Sequence, residues 1–373
     1  MTGRVCALGS TPHYISVRPA DAEPLRGALA AMLLRVAAIW LLLAVPVLAS
    51  SIAATNANAA DGAPDAVTSA AAPLDVVVTI KPIHSLVAQV MEGVGEPSLL
   101  VEGSASPHSF SLKPSQVGAI NRATVFFRVS EWLEPFTGKV VRALPASVEL
   151  VTLMDAPELK LLPRRKTGTF EPHDHAGEHA HHHDSDHSHH NSHDDVGSSD
   201  SHIWLDPQNA KYLVSHIADV LSKHYPAHAA KFAANAEAAH GRIDALAAEL
   251  ENDLRAVQDR PFIVFHDAYQ YFDARFALNA VGSITISPDV RPSAKRLSEL
   301  RRRIRSLKAA CVFAEPMYQP RLVKAVIEGT DARSGTLDPE GMLLKPGPDL
   351  YEKLMRNLAA DLNRCLANAA SEG

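Results

Sequence analysis

The stretch between Pro226 and Pro261 constrains the fold more than any other part of the chain. It contains no further proline and only one glycine, Gly241. Apolar side chains recur along it at intervals of three and four residues, the spacing of one buried helix face. They are Phe232, Ala236, Ala239, Ile243, Leu246, Leu250, Leu254 and Val257. We expect one long helix over residues 226–258, roughly 45 Å in length if it runs unbroken.

Short apolar segments alternate with helical patterns on both sides of this predicted helix. The β-branched run Val76–Ile80 opens the first series, and the segment PFIVFHDAYQYF, a strand followed by a helix, opens the second. Such alternation is typical of parallel sheets with right-handed crossovers. The sequence therefore predicts an α/β protein with two Rossmann-like lobes, bridged by one long, rigid α-helix. Ligands of such sheets bind at the carboxyl ends of the strands, so we look for the site in the cleft between the lobes.

The predicted boundaries follow from these patterns. They are a leader over residues 1–59, a flexible tether over 60–74, a first lobe over 75–225, the linking helix over 226–258 and a second lobe over 259–373.

The predicted leader carries a secretory signal. One arginine precedes an apolar run from Val36 to Leu48, and small residues follow it. The run is shorter than the roughly 20 residues of a membrane-spanning helix, so cleavage is expected rather than anchoring. Met32 is a candidate for the true start. If the source is Gram-negative, the mature protein is expected in the periplasm.

Charge and cysteine content narrow the class of protein. The net charge is −6 and no basic block offsets it, which argues against a nucleic-acid partner. Removing the leader takes Cys6 with it and leaves Cys311 and Cys365. We expect these two to form a disulfide in an oxidising compartment, and two buried thiols are the alternative.

A histidine-rich segment interrupts the first lobe between Glu171 and Asp195. It holds seven carboxylates and ten histidines. The histidines are His173, His175, His179, His181, His182, His183, His187, His189, His190 and His193. The composition cannot bury a core and predicts a solvated loop, either a polar spacer or an auxiliary site for a divalent metal such as Zn²⁺.

Three further histidines fall at strand ends or in the loops next to them: His108, His202 and His266. Any one of them alone is more often a structural residue. Together, at equivalent positions in both lobes, they could converge on one cleft and form a tetrahedral zinc site with one position open. His84, at the end of the first strand, is interpreted as structural.

Five motifs in order resemble the zinc-specific solute-binding proteins of ABC importers, the ZnuA family. They are SPHSFSLKPS, HIWLDPQNA, FIVFHDAYQYF, VFAEPMYQPR and GTLDPEG. The resemblance runs from about Val76 to the end of the chain. It implies two α/β lobes with a metal held between them, and a disulfide at the two mature cysteines.

The resemblance also implies the ligand set His108, His202 and His266. The related manganese binders carry a glutamate in place of the third histidine, so this set favours zinc. The fourth ligand is expected to be Asp338 or water, because some zinc members have a glutamate just before the first histidine and Pro107 stands there. Asp338 could equally be a turn residue before a proline.

The family implies a monomeric carrier that captures Zn²⁺ and delivers it to an inner-membrane ABC permease with a cytoplasmic ATPase. The histidine-rich segment would then be an auxiliary acquisition or sensing site. Three alternatives stay open: a periplasmic zinc buffer or metallochaperone, a binder of manganese or another divalent metal, and a zinc enzyme. The sequence contains no H-E-x-x-H or G-x-S-x-G motif, so we do not expect an enzyme.

Overall fold

Two parallel sheets of four strands each form the framework of the protein in a computed structural model. The structure describes residues 74–170, 198–288, 291–318 and 321–367. The predicted leader, most of the tether and the histidine-rich segment lie outside the described residues. Among the described residues, no helix is both long and apolar enough to cross a membrane.

The first sheet has the strand order β2-β1-β3-β4, with all neighbours parallel. Its strands are β1 (Val76–Val78), β2 (Ser98–Leu99), β3 (Val125–Arg128) and β4 (Glu149–Thr152). The helices of this lobe are α1 (Lys81–Val90), α2 (Pro114–Arg122), α3 (Thr137–Val141) and α4 (Pro207–His224). Every residue of β1 and of α1 is buried, which explains the near-continuous apolar sequence there.

The second sheet has the order β6-β5-β7-β8 and is also parallel throughout. Its strands are β5 (Phe262–His266), β6 (Ala280–Thr285), β7 (Cys311–Ala314) and β8 (Arg333–Thr336). The helices after the linking helix are α6 (Gln270–Phe276), α7 (Ala294–Leu307), α8 (Arg321–Ile327) and α9 (Leu350–Leu366). The predicted fold class, two α/β lobes with parallel sheets, is confirmed.

The linking helix α5 runs from Ala229 to Leu254, with 3-10 turns at Pro226–His228 and Arg255–Val257. All eight apolar residues of the periodic pattern are buried. A polar residue, Asn235, is buried on the same face. Its amide Nδ2 donates to the carbonyl oxygens of Val90 and Glu92, both at 2.8 Å, and so satisfies acceptors at the C-terminal end of α1. The helix is therefore packed against the first lobe and is not a free linker.

The C-terminal helix α9 ties the two lobes together. The sequence pattern placed it in the second lobe, but α9 packs against α1 and α5 as well as β8. The hydroxyl of Tyr351 donates to the carbonyl of Trp204 at 3.0 Å, and Ser85 Oγ donates to the carbonyl of Pro348 at 2.7 Å. One apolar core runs continuously from Val76 in the first lobe to Leu366 in α9.

The disulfide between Cys311 and Cys365 is present, with the Cα atoms 6.2 Å apart. It joins the start of β7 to the last turn of α9, as predicted from the sequence. Cys311 lies in register with Phe262, the first residue of β5. The bridge is therefore at the amino end of the second sheet, away from the edge where strand-end side chains meet.

Candidate metal centre

Three histidines from separate parts of the chain meet between the lobes. His266 is the last residue of β5, His202 precedes the 3-10 turn Ile203–Leu205, and His108 lies in the loop between β2 and α2. One ring nitrogen from each lies within 4.8 Å of the others. In the described part of the chain, no other group of three or more histidine, cysteine or acidic side chains comes together in this way.

Local structure fixes the position of His202. Asp206 caps α4 by accepting a hydrogen bond from the backbone nitrogen of Gln208 at 2.9 Å, and Pro207 follows at the first helical position, where its missing N–H costs nothing. The buried indole of Trp204 donates to the carbonyl of Pro339 at 2.9 Å. The turn that carries His202 is thus anchored to α4 on one side and to the loop after β8 on the other.

Two carboxylates orient the two buried imidazoles. Nδ1 of His202 lies 2.7 Å from Asp200 Oδ1, and Nδ1 of His266 lies 2.6 Å from Glu315 Oε1. An ionised carboxylate only accepts hydrogen bonds, so each Nδ1 carries a proton. Each Nε2 is therefore the nitrogen available to a metal. Carboxylate–histidine pairs of this kind fix the ring and raise its basicity as a ligand.

Two of the available nitrogens have the spacing expected in a tetrahedral zinc site. Nε2 of His202 and Nε2 of His266 lie 3.4 Å apart. Two ligands at about 2.05 Å from Zn²⁺ and separated by the tetrahedral angle are also about 3.4 Å apart. Nε2 of His108 is buried and has no hydrogen-bond partner among the described residues. A cation placed between these three rings would have an imidazole nitrogen from each of them within reach.

The pKa values of His108 and His266 are shifted in opposite directions from the ordinary value of a histidine. Burial, with smaller contributions from the other two rings, lowers the pKa of His108 well below its ordinary value and keeps this ring neutral. Burial also acts to lower the pKa of His266, but the adjacent charge and hydrogen bond of Glu315 outweigh it, and the net shift is upward. A proton on His266 therefore competes with a metal ion for the site.

Asp338 lies outside the cluster of three histidines. Its Oδ1 accepts a hydrogen bond from the backbone nitrogen of Glu340 at 3.1 Å, and the backbone N–H groups of residues 341–343 also stabilise the carboxylate. Burial nevertheless raises its pKa. The ammonium of Lys81 donates to the carbonyl oxygens of Met342 and Leu344 in the same loop. In this structure the Asp338 carboxylate therefore has hydrogen-bond partners within the loop after β8.

Three other described histidines have contacts outside this cluster. Nε2 of His84 lies 3.0 Å from the carbonyl oxygen of Pro97, which agrees with a structural role. His224 contacts Glu149, and Nε2 of His240 lies 3.1 Å from Ser215 Oγ. None of these belongs to the cluster.

Sequence reasoning missed the two orienting carboxylates. Glu315 lies in the motif VFAEPMYQPR, but the family resemblance gives it no ligand role, and no feature of the sequence singles out Asp200. A topological signal could have found Glu315: it follows β7, and β7 is the neighbour of β5, so its side chain meets His266 at the same sheet edge. Asp200 stands two residues before His202, a spacing too common to be informative on its own.

A cleft of about 660 Å³ opens above the three imidazoles. Side chains from both lobes line it, among them Trp132 after β3 and Ile286 after β6. Two arginines, Arg164 and Arg165, lie in the wall next to the site. Metal ions can therefore reach the histidines from solvent through an open cleft.

The comparisons with known proteins agree with this arrangement. The family model described as zinc-uptake complex component A, periplasmic, matches residues 76–365. The high-affinity zinc uptake system protein ZnuA of Brucella suis is 48% identical over 305 residues, which cover 78% of this chain and 91% of the relative. The protein of the same description from Paracoccus denitrificans is 37% identical, with the same coverage of both chains.

Solved structures share the fold at lower identity. The laminin-binding protein Lmb of Streptococcus agalactiae, described as an adhesin with metal-transporting activity, gives a TM-score of 0.62 at 23% identity. The match covers 78% of this chain and 99% of that one. The solute-binding protein FpvC of Pseudomonas aeruginosa, solved with Ni²⁺, gives a TM-score of 0.65 at 17% identity, over 81% and 99% of the two chains.

The resemblance read from the five sequence motifs is thereby confirmed, since the family model spans both lobes and the relatives are matched over nearly their whole length. The chain belongs to the family of ZnuA proteins, the periplasmic component A of zinc-uptake complexes.

Proposed function

We propose that this protein captures Zn²⁺ in the periplasm with high affinity and delivers it to the membrane permease of an ABC-type zinc importer. The observation that carries the proposal is the set of three Nε2 atoms, two of which are oriented by buried carboxylates and lie at tetrahedral spacing. His108, His202 and His266 are the proposed ligands. Water or a small solute takes the fourth position, since Asp338 is bound within its own loop.

The ligand chemistry supports zinc as the cargo. Imidazole nitrogens suit Zn²⁺, Ni²⁺ and Cu²⁺, whereas Mn²⁺ prefers carboxylate and water oxygens. The solute-binding protein FpvC, which shares the fold, was solved both with Mn²⁺ and with Ni²⁺, so the test below includes competition between metals. In the proposal, the histidine-rich segment from Glu171 to Asp195 is an auxiliary site of lower affinity.

The proposed function is tested by calorimetric titration with Zn²⁺. The chain from Ala60 onward is compared with a deletion of residues 171–195 and with a His108→Ala, His202→Ala, His266→Ala triple variant. We expect one tight site that survives the deletion and disappears in the triple variant. Loss of the tight site on deletion would instead make the protein a histidine-rich zinc buffer. Competition with excess Mn²⁺ in the deletion variant tests the choice of metal.

A further inference from the structure

The cleft above the histidines is much larger than its proposed cargo. A zinc ion with six waters occupies about 180 Å³, at about 30 Å³ for each water. The cleft measures about 660 Å³, a volume typical of sites for small organic molecules. It therefore has room for a solute beside the metal ion.

The outer wall of the cleft has apolar side chains from both lobes, and the guanidinium of Arg164 lies over one face of the Trp132 ring, 3.6 Å from its centre. Trp132 and Ile286, which approach from opposite lobes, are 60% and 50% exposed. Leu133 and Pro135 extend the apolar wall on the side of the first lobe. Large apolar side chains exposed at a concave site are typical of ligand contact, because covering them removes apolar surface from water.

The inner wall carries both signs of charge. The guanidinium of Arg165 pairs with Asp267 through Nη1 at 2.7 Å and lies 3.9 Å from the centre of the Phe170 ring. Its Nη2 is buried and has no hydrogen-bond partner among the described residues. Asp200 Oδ2, in the same wall, is also buried without a partner there. Leaving such groups unsatisfied costs free energy that a ligand with complementary charges would recover.

We propose that the cleft binds Zn²⁺ together with a small zwitterionic carboxylate of the α-amino acid class. One carboxylate oxygen completes the coordination of the metal beside the three imidazoles, and the other accepts a hydrogen bond from Arg165. The ammonium group lies against the carboxylates of the inner wall, and the apolar substituent covers Trp132 and Ile286. This inference deepens the proposed function and rests on it, since it concerns the form in which zinc is held.

The test uses native mass spectrometry of the full chain after its leader has been removed, loaded with Zn²⁺ and L-leucine. We expect a complex of one protein, one zinc ion and one leucine. L-Leucinamide keeps the ammonium and the side chain but lacks the carboxylate, so it should not be retained. A Zn²⁺ complex that never retains leucine would overturn the inference while leaving the proposed function intact. A chain that binds no Zn²⁺ at all would overturn the proposed function itself.

Two variants locate the solute. Arg165→Lys keeps the charge opposite Asp267 but lacks the second guanidinium nitrogen that donates to the solute, so we expect about tenfold weaker leucine retention. Arg356→Lys is the matched control, since Arg356 on α9 also pairs with a carboxylate, and this variant should retain leucine normally.

Ile286→Ser should lower the preference for leucine over glycine about tenfold. Unchanged retention in both Arg165→Lys and Ile286→Ser would contradict the assignment.

Discussion

At the residue scale, the affinity of the site for a metal ion depends on the carboxylate that hydrogen-bonds to a ligating histidine as well as on the position of the histidine itself. Glu315 is almost fully buried, and its Oε1 faces Nδ1 of His266 at 2.6 Å. Replacing Glu315 by Gln removes the negative charge but keeps the size of the side chain. We expect the affinity for Zn²⁺ to fall about 10- to 100-fold, measured by competition with a chromophoric chelator.

The control for Glu315→Gln is Glu328→Gln. The side chain of Glu328 is 80% exposed, and its ion-pair partner is Arg301, which is not a member of the histidine cluster. It should bind Zn²⁺ like the wild type. Equal affinities in the two variants would mean that Glu315 does not orient His266.

One substitution at Asp338 can distinguish a role as metal ligand from a role in stabilising the loop after β8. Because its carboxylate accepts backbone N–H groups of the loop after β8, we expect Asp338→Asn to lower the melting temperature of the zinc-free protein. Its affinity for Zn²⁺ should stay within about threefold of the wild type, below the loss typical of changes to residues that support a metal site. A loss of more than a hundredfold in affinity, with an unchanged melting temperature, would make Asp338 the fourth ligand.

A buried acid near the site gives the protein a pH-dependent stability. Asp273 is fully buried beside Arg165, Asp267 and Asp200, and burial raises its pKa to about 8 from an ordinary value of 3.8. The folded state therefore holds this proton more tightly than the unfolded chain, and the free energy of unfolding falls as pH rises between those values. Asp273→Asn mimics the neutral acid and should make this slope smaller.

The slope is measured by urea unfolding of the zinc-free protein at several pH values from about 5 to 8, the range in which the two states bind different numbers of protons. Asp253→Asn, an exposed position on α5, serves as the control and should keep the wild-type slope. If Asp273→Asn and the control have the same slope, Asp273 is ionised in the folded protein.

At the scale of elements, the disulfide connects a helix to the sheet without touching the site. The bridge closes a loop with a sequence separation of 54 residues. In the chain-entropy model a loop of this length contributes about 4 kcal/mol to stability. We expect the Cys311→Ala, Cys365→Ala double variant to unfold at a lower urea concentration. Its affinity for zinc should be unchanged, because Cys311 is the first residue of β7 whereas Glu315 follows the opposite end of this strand. A large loss of zinc affinity would show that α9 supports the site.

Most elements of this fold could be predicted from local sequence, because their signals are local. The period of α5, the cap at Asp206 and the apolar runs of the strands each depend on residues a few positions apart. The helix α3 was not predicted, since five residues carry too little periodicity. The packing of α9 against α1 could not be predicted either, because the two helices are more than 250 residues apart in sequence.

The candidate site was only partly predictable for the same reason. His108, His202 and His266 were found through their places at strand ends and through family motifs. The pairing of His266 with Glu315 depends on β5 and β7 being neighbours, which is a property of the sheet order. The role of Asp338 depends on the conformation of its own loop.

At the scale of the whole molecule, the packing of the helices limits how far the two lobes can move. The core passes without a break from the first lobe through α5 into the second, and α9 packs on both α1 and α5. A wide hinge motion would have to expose part of this core, whereas the loops at the cleft can move without doing so.

We therefore expect Zn²⁺ to change the radius of gyration by less than about 1 Å, a shift of the size found in pre-organised complexes, as measured by small-angle X-ray scattering. The comparison should use the variant that lacks residues 171–195, so that any ordering of the histidine-rich segment does not contribute. In the same variant, the triple histidine replacement is the control and should show no response to Zn²⁺. A decrease of several ångströms on binding would mean that the lobes close on the metal like a hinge. The interactions of α9 would then have to break during each cycle of capture and release.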